Sequence, residues 1–221
     1  MPTWGSLYFQ NATSPVMEQL IFFHDHVMVV LIIVTILVGY VLLSSIFGLS
    51  FNRHVLEGQE LESIWTVLPA VFLLMIALPS LSLLYVMEEM DDPDVSVKVV
   101  GHQWYWSYEY ADMGEKVYDS YMIPDGEEAN FRLMEVDNSL SIPAGVGVRM
   151  IVTSGDVIHS WTVPDLGVKA DGIPGRLNQV LFLGNSPGLH VGQCSEICGV
   201  NHSFMPIVIY IINGVDFLDQ W

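Results

Sequence analysis

Two long apolar runs dominate the first part of the chain. Neither the run at 27–48 nor the run at 64–87 contains a charged residue. Each run is long enough to cross a bilayer core as a helix, which takes about 20 residues. A pair of buried core helices in a soluble protein is the alternative, but a chain of this length rarely hides two such runs. The pattern therefore predicts two transmembrane helices.

The segments beside the two runs predict how the helices are connected. An N-terminal segment, 1–26, precedes the first run, and a short polar loop, 49–63, separates the two. So short a loop predicts an antiparallel hairpin with both chain termini on the same side of the membrane. Pro69 and Pro79 interrupt the second run, and membrane helices tolerate proline where neighbours satisfy the freed carbonyls. We therefore expect a kinked helix there rather than a broken one.

The pattern changes after Met87, where an acidic stretch containing Pro93 ends the helical region. Beyond it, β-branched and alternating segments are separated by Gly, Pro, Asn and Asp, which is typical of short strands joined by turns. The predicted strands are 95–100, 131–136, 148–152, 177–183 and 205–212. Many short strands at this spacing indicate a β-sandwich or barrel over residues 88–221.

Charge separates the two regions and limits the classes of partner. The 221-residue chain is 52% hydrophobic, yet its formal net charge is -18. Residues 88–221 hold 20 of the 25 acidic and six of the seven basic residues, a formal net charge of -14. This excess of acid excludes nucleic acid as a partner. It favours a basic protein partner, because complementary fields accelerate encounter.

A short loop near the C-terminus carries the candidate chemistry. Cys194, Cys198, His202 and Met205 lie within it, and the chain has no other cysteine. Thiolate, imidazole and a weak thioether form the ligand set of a copper electron-transfer site. A disulfide between the cysteines is the alternative, since an external domain permits one. A disulfide would leave the histidine and the methionine without a role, so the pattern favours copper.

The second cysteine indicates a dinuclear centre. His159, which follows the predicted strand at 148–152, is well placed to supply a second imidazole. A mononuclear cupredoxin site needs one cysteine, whereas two thiolates can bridge two copper ions. Each ion would then take one histidine and one weak axial ligand. Met205 would serve one ion, and the backbone carbonyl of Glu196 the other.

Several motifs identify a family. The aromatic run at 101–110 would by itself indicate core packing or an interface. Together with the loop, however, the chain resembles cytochrome c oxidase subunit II of the mitochondrial type over essentially its full length. The motifs that carry this resemblance are GHQWYWSYEY (101–110), DSYMIP (119–124), DVIHSW (156–161), IPGRLNQ (173–179) and GQCSEICGVNHSFMP (192–206).

The resemblance implies an N-terminal two-helix transmembrane hairpin followed by an all-β cupredoxin domain, a Greek-key barrel. The segments would be an N-terminal segment 1–26, helix 27–48, matrix loop 49–63, helix 64–87 and copper domain 88–221. It also implies the mitochondrial inner membrane, with the copper domain and both termini in the intermembrane space. A bacterial oxidase subunit, which shares the chemistry, and a quinol oxidase subunit, which would lack the ligands, are the alternatives.

The function implied is electron transport in the respiratory chain. A dinuclear copper centre, called CuA, takes electrons from cytochrome c and passes them to heme a in subunit I. The whole complex is an oxidoreductase and translocase that reduces oxygen to water and pumps protons. Its other subunits and membrane lipid are the further partners. By position, the copper ligands would be His159, Cys194, the carbonyl of Glu196, Cys198, His202 and Met205.

The resemblance assigns further roles outside the copper ligands. The carboxylate of Glu196 would bind magnesium at the interface with subunit I. Trp104 matches the tryptophan that receives electrons. Glu62 matches a glutamate at the mouth of a proton pathway, although an acid at a helix N-terminus is also favoured by the helix dipole. The residues matching the docking surface for cytochrome c are Gln103, Glu109, Asp137 and Asp156.

Overall fold

The computed structural model describes residues 4–48, 53–54, 56–89, 92–112, 114, 116–124 and 131–220. The chain divides into two units, which we describe separately. One is helical and comprises residues 20–85, and the other combines the chain up to Gln19 with the chain from Val86 onwards. The second unit contains every strand found in the described part of the chain and is called the β domain below.

Two long helices, α1 (Pro15–Phe47) and α2 (Gln59–Glu88), contain the two apolar runs. Both are long and apolar enough to cross a membrane. Helix α1 begins well before the predicted start of the span, within the predicted N-terminal segment. Ser14 explains this early start, because its Oγ accepts the N–H of Met17 at 3.0 Å and caps the helix. Pro15 then occupies the first helical position, where its missing N–H costs nothing.

The predicted loop at 49–63 is shorter than expected, because α2 already begins at Gln59. Residues 49–52 and 55 of this loop lie outside the described residues. The helix then runs through Pro69 and Pro79 without a break. Proline lacks the N–H that would bond the carbonyl four residues earlier. For Pro79 that carbonyl belongs to Met75, and Nε2 of His26 lies 3.2 Å from it. A neighbouring helix thus satisfies the freed carbonyl, as expected for proline in a membrane helix.

Among the described residues, the β domain contains ten strands and a short final helix, α3 (Gly214–Leu218). A five-stranded sheet has the order β3-β2-β1-β5-β8, a three-stranded sheet the order β4-β10-β9, and β6 pairs with β7. The strands are β1 (Val95–His102), β2 (Tyr105–Tyr110), β3 (Lys116–Ser120), β4 (Leu140–Pro143), β5 (Gly147–Ser154), β6 (His159–Val163), β7 (Val168–Gly172), β8 (Asn178–Leu183), β9 (Gly188–Gln193) and β10 (Pro206–Ile212).

The all-β prediction is confirmed, although the sheets do not close into one continuous barrel. Among the described residues β6 and β7 pair only with each other, so the hydrogen-bonded ladder is interrupted on both sides of this pair. Four of the five predicted strands are present as β1, β5, β8 and β10.

The fifth predicted strand, 131–136, is wrong. The N–H of Met134 donates to the carbonyl of Phe131 at 3.3 Å, and Leu133 has a φ of 63°, so the segment turns back on itself. Only Val136 forms a bridge, with Met122. A hydrogen bond from the N–H of Phe131 to the carboxylate of Glu135 further favours the turn. Local bonds of this kind compete with a strand ladder.

Alternation of side chains builds the core between the sheets. In β5 every second residue, namely Val148, Met150 and Val152, is fully buried. Trp106 on β2 and Trp161 on β6 are also fully buried. Burying each large apolar side chain stabilises the fold by about 1.5–3 kcal/mol. These strands therefore form a rigid frame for the connections that link them.

An N-terminal arm, residues 13–17, binds the β domain. The N–H and Oγ1 of Thr13 both donate to the carbonyl of Asp165 at 2.9 Å. Oγ of Ser14 donates to the carbonyl of Leu166 at 2.6 Å, and the N–H of Asn185 donates to the carbonyl of Thr13 at 2.8 Å. The chain before α1 thus contacts the domain that follows α2.

Candidate metal centre

The loop between β9 and β10 brings both cysteines to the same buried point. Cys194 and Cys198 are free thiols, with their Sγ atoms 4.0 Å apart. A disulfide bond is about 2.05 Å long, so this spacing is not that of a disulfide. With His159 they form a buried cluster whose ligand atoms all lie within 4.8 Å of one another. This spacing is suitable for binding metal.

The other predicted copper ligands from the loop lie beside these sulfurs. Sγ of Cys198 is 3.6 Å from Nδ1 of His202 and 3.5 Å from Sδ of Met205. Sγ of Cys194 is 4.0 Å from Nδ1 of His159. Each thiol therefore has one imidazole nitrogen as a neighbour, and the thioether adds a weak donor beside one of them. The set is the soft one that copper prefers.

The carbonyl oxygen of Glu196 completes the predicted ligand set. It lies 3.4 Å from Sγ of Cys194. The loop is also tied to the neighbouring strand, because the N–H of Ser195 donates to the carbonyl of Ser160 at 3.0 Å. Ser160 follows His159 directly in β6, so this bond holds the loop beside the histidine. All six predicted donors thus meet at one place.

Asp156 fixes the orientation of the His159 ring. Oδ1 of Asp156 lies 2.8 Å from Nε2 of His159, and the imidazole is fully buried. A carboxylate bonded to one ring nitrogen leaves the other available as a metal ligand. Here the available nitrogen is Nδ1, which points at the thiols. Gly101 allows the close fit, since a Cβ at this position would lie 2.9 Å from Cδ2 of His159.

Charge in the cluster favours a cation. Burial opposes ionisation of Cys194, but hydrogen bonds with His159 and with the backbone of Glu196 outweigh it and lower the pKa of the thiol to about 7. Burial and the neighbouring charge of Cys194 raise the pKa of Cys198 to about 12. Both thiols can ionise together near neutral pH only with positive charge beside them. A metal ion would supply that charge, so the pair of thiols fits a bound cation.

Trp104 lies against the ligand loop. A Cβ at Gly199 would lie 2.9 Å from Cζ2 of Trp104, so the indole packs on the backbone directly after Cys198. Gly199 itself has a φ of 134°, a conformation that favours glycine. The indole N–H is buried and contacts no acceptor among the described residues, so packing alone positions the ring. Gln103 contacts the same loop, since its Nε2 donates to the carbonyl of Cys198 at 2.7 Å.

The predicted docking acids fall into two groups. Asp156 contacts the ligand set as described above. Glu109 pairs with Lys98, with 2.7 Å between Oε2 and Nζ, and both side chains are partly exposed. Oδ1 of Asp137 accepts the N–H groups of Tyr121 and Asn138, each at 2.7 Å, and so stabilises a turn. Among the contacts of the described residues, Glu109 and Asp137 have none to a predicted copper ligand.

Two further predicted residues are placed by the fold. Glu62 lies in the first turn of α2, in the helical unit and outside the metal centre. The side chain of Glu196 is half-buried.

Sequence reasoning missed two supports of the site. The indole Nε1 of Trp106 donates to the carbonyl of Met205 at 3.3 Å, and its ring lies edge-on to His159 with centroids 5.8 Å apart. Trp106 belongs to the aromatic run, where its alternation with Tyr108 and Tyr110 already marked the inward face of β2. Gly199 gave no signal beyond its place next to Cys198, because its contact with Trp104 joins distant segments.

Comparisons with known proteins agree with this site. Residues 95–212 match the family described as cytochrome c oxidase subunit II, periplasmic domain, and residues 2–83 match its transmembrane domain. Cytochrome c oxidase subunit 2 of Drosophila bifasciata is 56% identical over 223 residues, which cover all of this chain and 97% of the relative. The subunit of Drosophila subobscura is 55% identical over the same share.

Two solved structures resemble the β domain. The periplasmic domain of subunit II of cytochrome oxidase from Bradyrhizobium japonicum is 42% identical, with a TM-score of 0.56 over 60% of this chain and 94% of that domain. A second is subunit II in a mixed disulfide with the thioredoxin-like TlpAs, 40% identical with a TM-score of 0.54, over 60% of this chain and 92% of that one. The matches cover both the helices and the β domain. The chain belongs to the cytochrome c oxidase subunit II family.

Proposed function

We propose that this chain receives electrons from cytochrome c at a dinuclear copper centre and passes them to heme a in subunit I. As a family member it is a subunit of an oxidoreductase complex. Within that complex it would be the component that takes up electrons, while the whole complex reduces oxygen to water and pumps protons. The convergence of four further donor atoms around two thiols carries this proposal.

The ligands would be two thiolates and four further donors. Cys194 and Cys198 would supply the thiolates, because their sulfurs lie side by side. His159 and His202 would supply one imidazole nitrogen each. The weak donors would be Sδ of Met205 and the carbonyl of Glu196. Copper bound there would supply a one-electron redox couple, with the charge shared between two ions.

The protein's own contribution is to keep the donors fixed while the charge changes. Cys194, Cys198, His159 and Met205 are all buried, so little water can rearrange around them. Asp156 holds the ring of His159, and Trp106 holds the backbone at Met205. A donor set held by packed strands and by hydrogen bonds needs little movement when an electron arrives. This is the requirement for rapid electron transfer.

Trp104 is the proposed point of electron uptake. Its ring packs on Gly199, the residue that follows Cys198 in the ligand loop. An electron reaching the indole would therefore have a short path along the backbone to a thiolate. The ring is half-buried, so one part faces the solvent side and another faces the loop.

Cytochrome c would dock by charge complementarity. The chain from residue 88 onwards has a formal net charge of -14, whereas cytochrome c is basic. Gln103, Glu109, Asp137 and Asp156 are the proposed contact residues. Exposed charges act mainly on the rate of encounter and are screened over a Debye length of about 8 Å at physiological salt. Docking by these residues should therefore weaken as ionic strength rises.

The remaining assignments concern the membrane and the interface with subunit I. We propose the mitochondrial inner membrane, with α1 and α2 spanning it and the copper domain in the intermembrane space. The contact of the N-terminal arm with the β domain supports placing both termini on that side. The carboxylate of Glu196 is proposed to bind magnesium next to subunit I. Glu62 is proposed to lie at the mouth of a proton pathway.

The test is to count the copper ions in the full chain within the purified oxidase. Metal analysis should give two ions at this centre per chain, and the electron paramagnetic resonance spectrum should show one unpaired electron shared between them. A single copper with the hyperfine pattern of one ion would instead support a mononuclear cupredoxin site. Absence of copper with a Cys194–Cys198 disulfide would support a binding module without redox function.

A further inference from the structure

Gln103 is the residue that joins the two parts of the ligand set. Its backbone N–H donates to Oδ2 of Asp156 at 2.7 Å, and the other oxygen of that carboxylate holds His159. Its side-chain Nε2 donates to the carbonyl of Cys198, also at 2.7 Å. One residue thus bonds both to the carboxylate that holds His159 and to the loop that carries the thiols.

The amide of Gln103 is directed at the loop rather than at solvent. A Cβ at Gly199 would lie 3.2 Å from Nε2 of Gln103, so the amide lies against the same glycine as the indole of Trp104. The indole of Trp104 makes no hydrogen bond to the described residues. Gln103 therefore supplies the polar contacts that hold the turn at residues 103–104 in place. The turn and the loop can move apart only if the bond between Gln103 and Cys198 breaks.

We propose that Gln103 is a positioning residue. It joins the turn between β1 and β2, at residues 103–104, to the ligand loop at Cys198, and so fixes both the thiolate and the indole. This inference rests on the proposed copper function and gives Gln103 a role beyond contact with cytochrome c. If Gln103 acted only in docking, its loss would weaken the association with cytochrome c and leave the copper centre unchanged. If Gln103 is a positioning residue, its loss changes the copper centre itself.

The experiment compares Gln103→Met with wild type in the purified oxidase. Methionine has a similar length but cannot donate to the carbonyl, and the backbone N–H to Asp156 is retained. A net hydrogen bond of ordinary strength predicts copper loss to a chelator about two- to tenfold faster than in wild type. Gln103→Asn is the second variant, because its shorter amide cannot reach Cys198. It should lose copper in the same range. The matched control is Glu109→Gln, whose partner is Lys98. It should change cytochrome c association and leave copper retention unaltered.

A spectroscopic measurement distinguishes positioning from a general loss of stability. The hyperfine couplings of cysteine β protons depend on the torsion about the Cβ–Sγ bond. In Gln103→Met the couplings of Cys198 should change while those of Cys194, which Gln103 does not contact, stay as in wild type. The turnover number should fall even at saturating cytochrome c, where docking no longer limits the rate. Wild-type copper retention and wild-type couplings in both Gln103 variants would overturn the inference and leave the proposed function intact. A wild-type chain without dinuclear copper would instead overturn the proposed function.

Discussion

Replacing Asp156 with alanine removes the acceptor of a fully buried imidazole N–H. Oδ1 of this carboxylate lies 2.8 Å from Nε2 of His159, whose side chain has 0% exposure. Leaving a buried donor without a partner costs about 1–3 kcal/mol. The Asp156 side chain is 32% exposed, so water can partly replace the carboxylate. We therefore expect the lower part of this range, about 1–2 kcal/mol, which corresponds to copper binding weakened by about five- to thirtyfold.

Asp156→Asn separates the role of the acceptor from the role of the charge. The amide oxygen can still accept from Nε2 of His159, but the amide nitrogen then faces the N–H of Gln103, two donors together. Copper retention should lie between that of wild type and that of the alanine variant. Both variants remove the same negative charge, so both should flatten the salt dependence of cytochrome c association to the same extent.

The assay measures two quantities on the same purified oxidase samples. Chelator-driven loss of copper reports the support of His159, and stopped-flow association with cytochrome c at several ionic strengths reports docking. Glu109→Gln serves as the control that alters docking alone. The reasoning is refuted if Asp156→Ala retains copper as well as wild type. Equal copper loss in the asparagine and alanine variants would show that charge, and not the hydrogen bond, holds the ring.

Four further substitutions test the remaining ligands and the path of electrons. Cys194→Ser should abolish the shared-electron resonance signal, because it removes one of the two thiols that would hold the pair of ions. A persisting signal would contradict this role of Cys194. Met205→Leu should keep copper but shift its reduction potential, since a thioether is a weak ligand. His202→Ala should release copper. Metal analysis and potentiometry measure the two effects, and complete loss of copper from a folded Met205→Leu variant would refute the weak role of Met205. Trp104→Phe should slow copper reduction by cytochrome c in rapid-mixing experiments without altering the copper spectrum, because the indole makes no hydrogen bond to the described residues. An unchanged rate would mean that Trp104 only packs.

Local patterns predicted most of the fold. The two uncharged runs needed only length and composition to indicate α1 and α2. Alternation predicted β5, whose buried residues follow the period of two. The alternating residues at 131–136 also predicted a strand, but local hydrogen bonds stabilise a turn there instead. Six short strands, β2, β3, β4, β6, β7 and β9, were not predicted, because segments of four to six residues take their conformation largely from their partners.

The site was predictable to the extent that its donors share a motif. The loop from Cys194 to Met205 contains five of the six donors, so spacing alone gathers them. The supports were not predictable in the same way. The bond from Gln103 to the carbonyl of Cys198 joins residues 95 positions apart, and the bond from Trp106 to Met205 joins residues 99 apart. Such pairs become neighbours only after the strands have paired. The cap at Ser14, by contrast, was readable from Ser-Pro at the start of a helix.

The N-terminal arm has a consequence for the order in which the chain matures. Thr13 leaves the ribosome long before Asp165, and the two lie 152 positions apart. Both helices must be inserted into the bilayer before the arm and its binding site at Asp165 and Leu166 can lie in the same compartment. The contact therefore closes late, since distant contacts form only after the intervening chain is in place. A hairpin inserted with its first helix reversed would leave the turn at 164–167 without the arm, exposing the carbonyls of Asp165 and Leu166 as a mark of incorrect insertion.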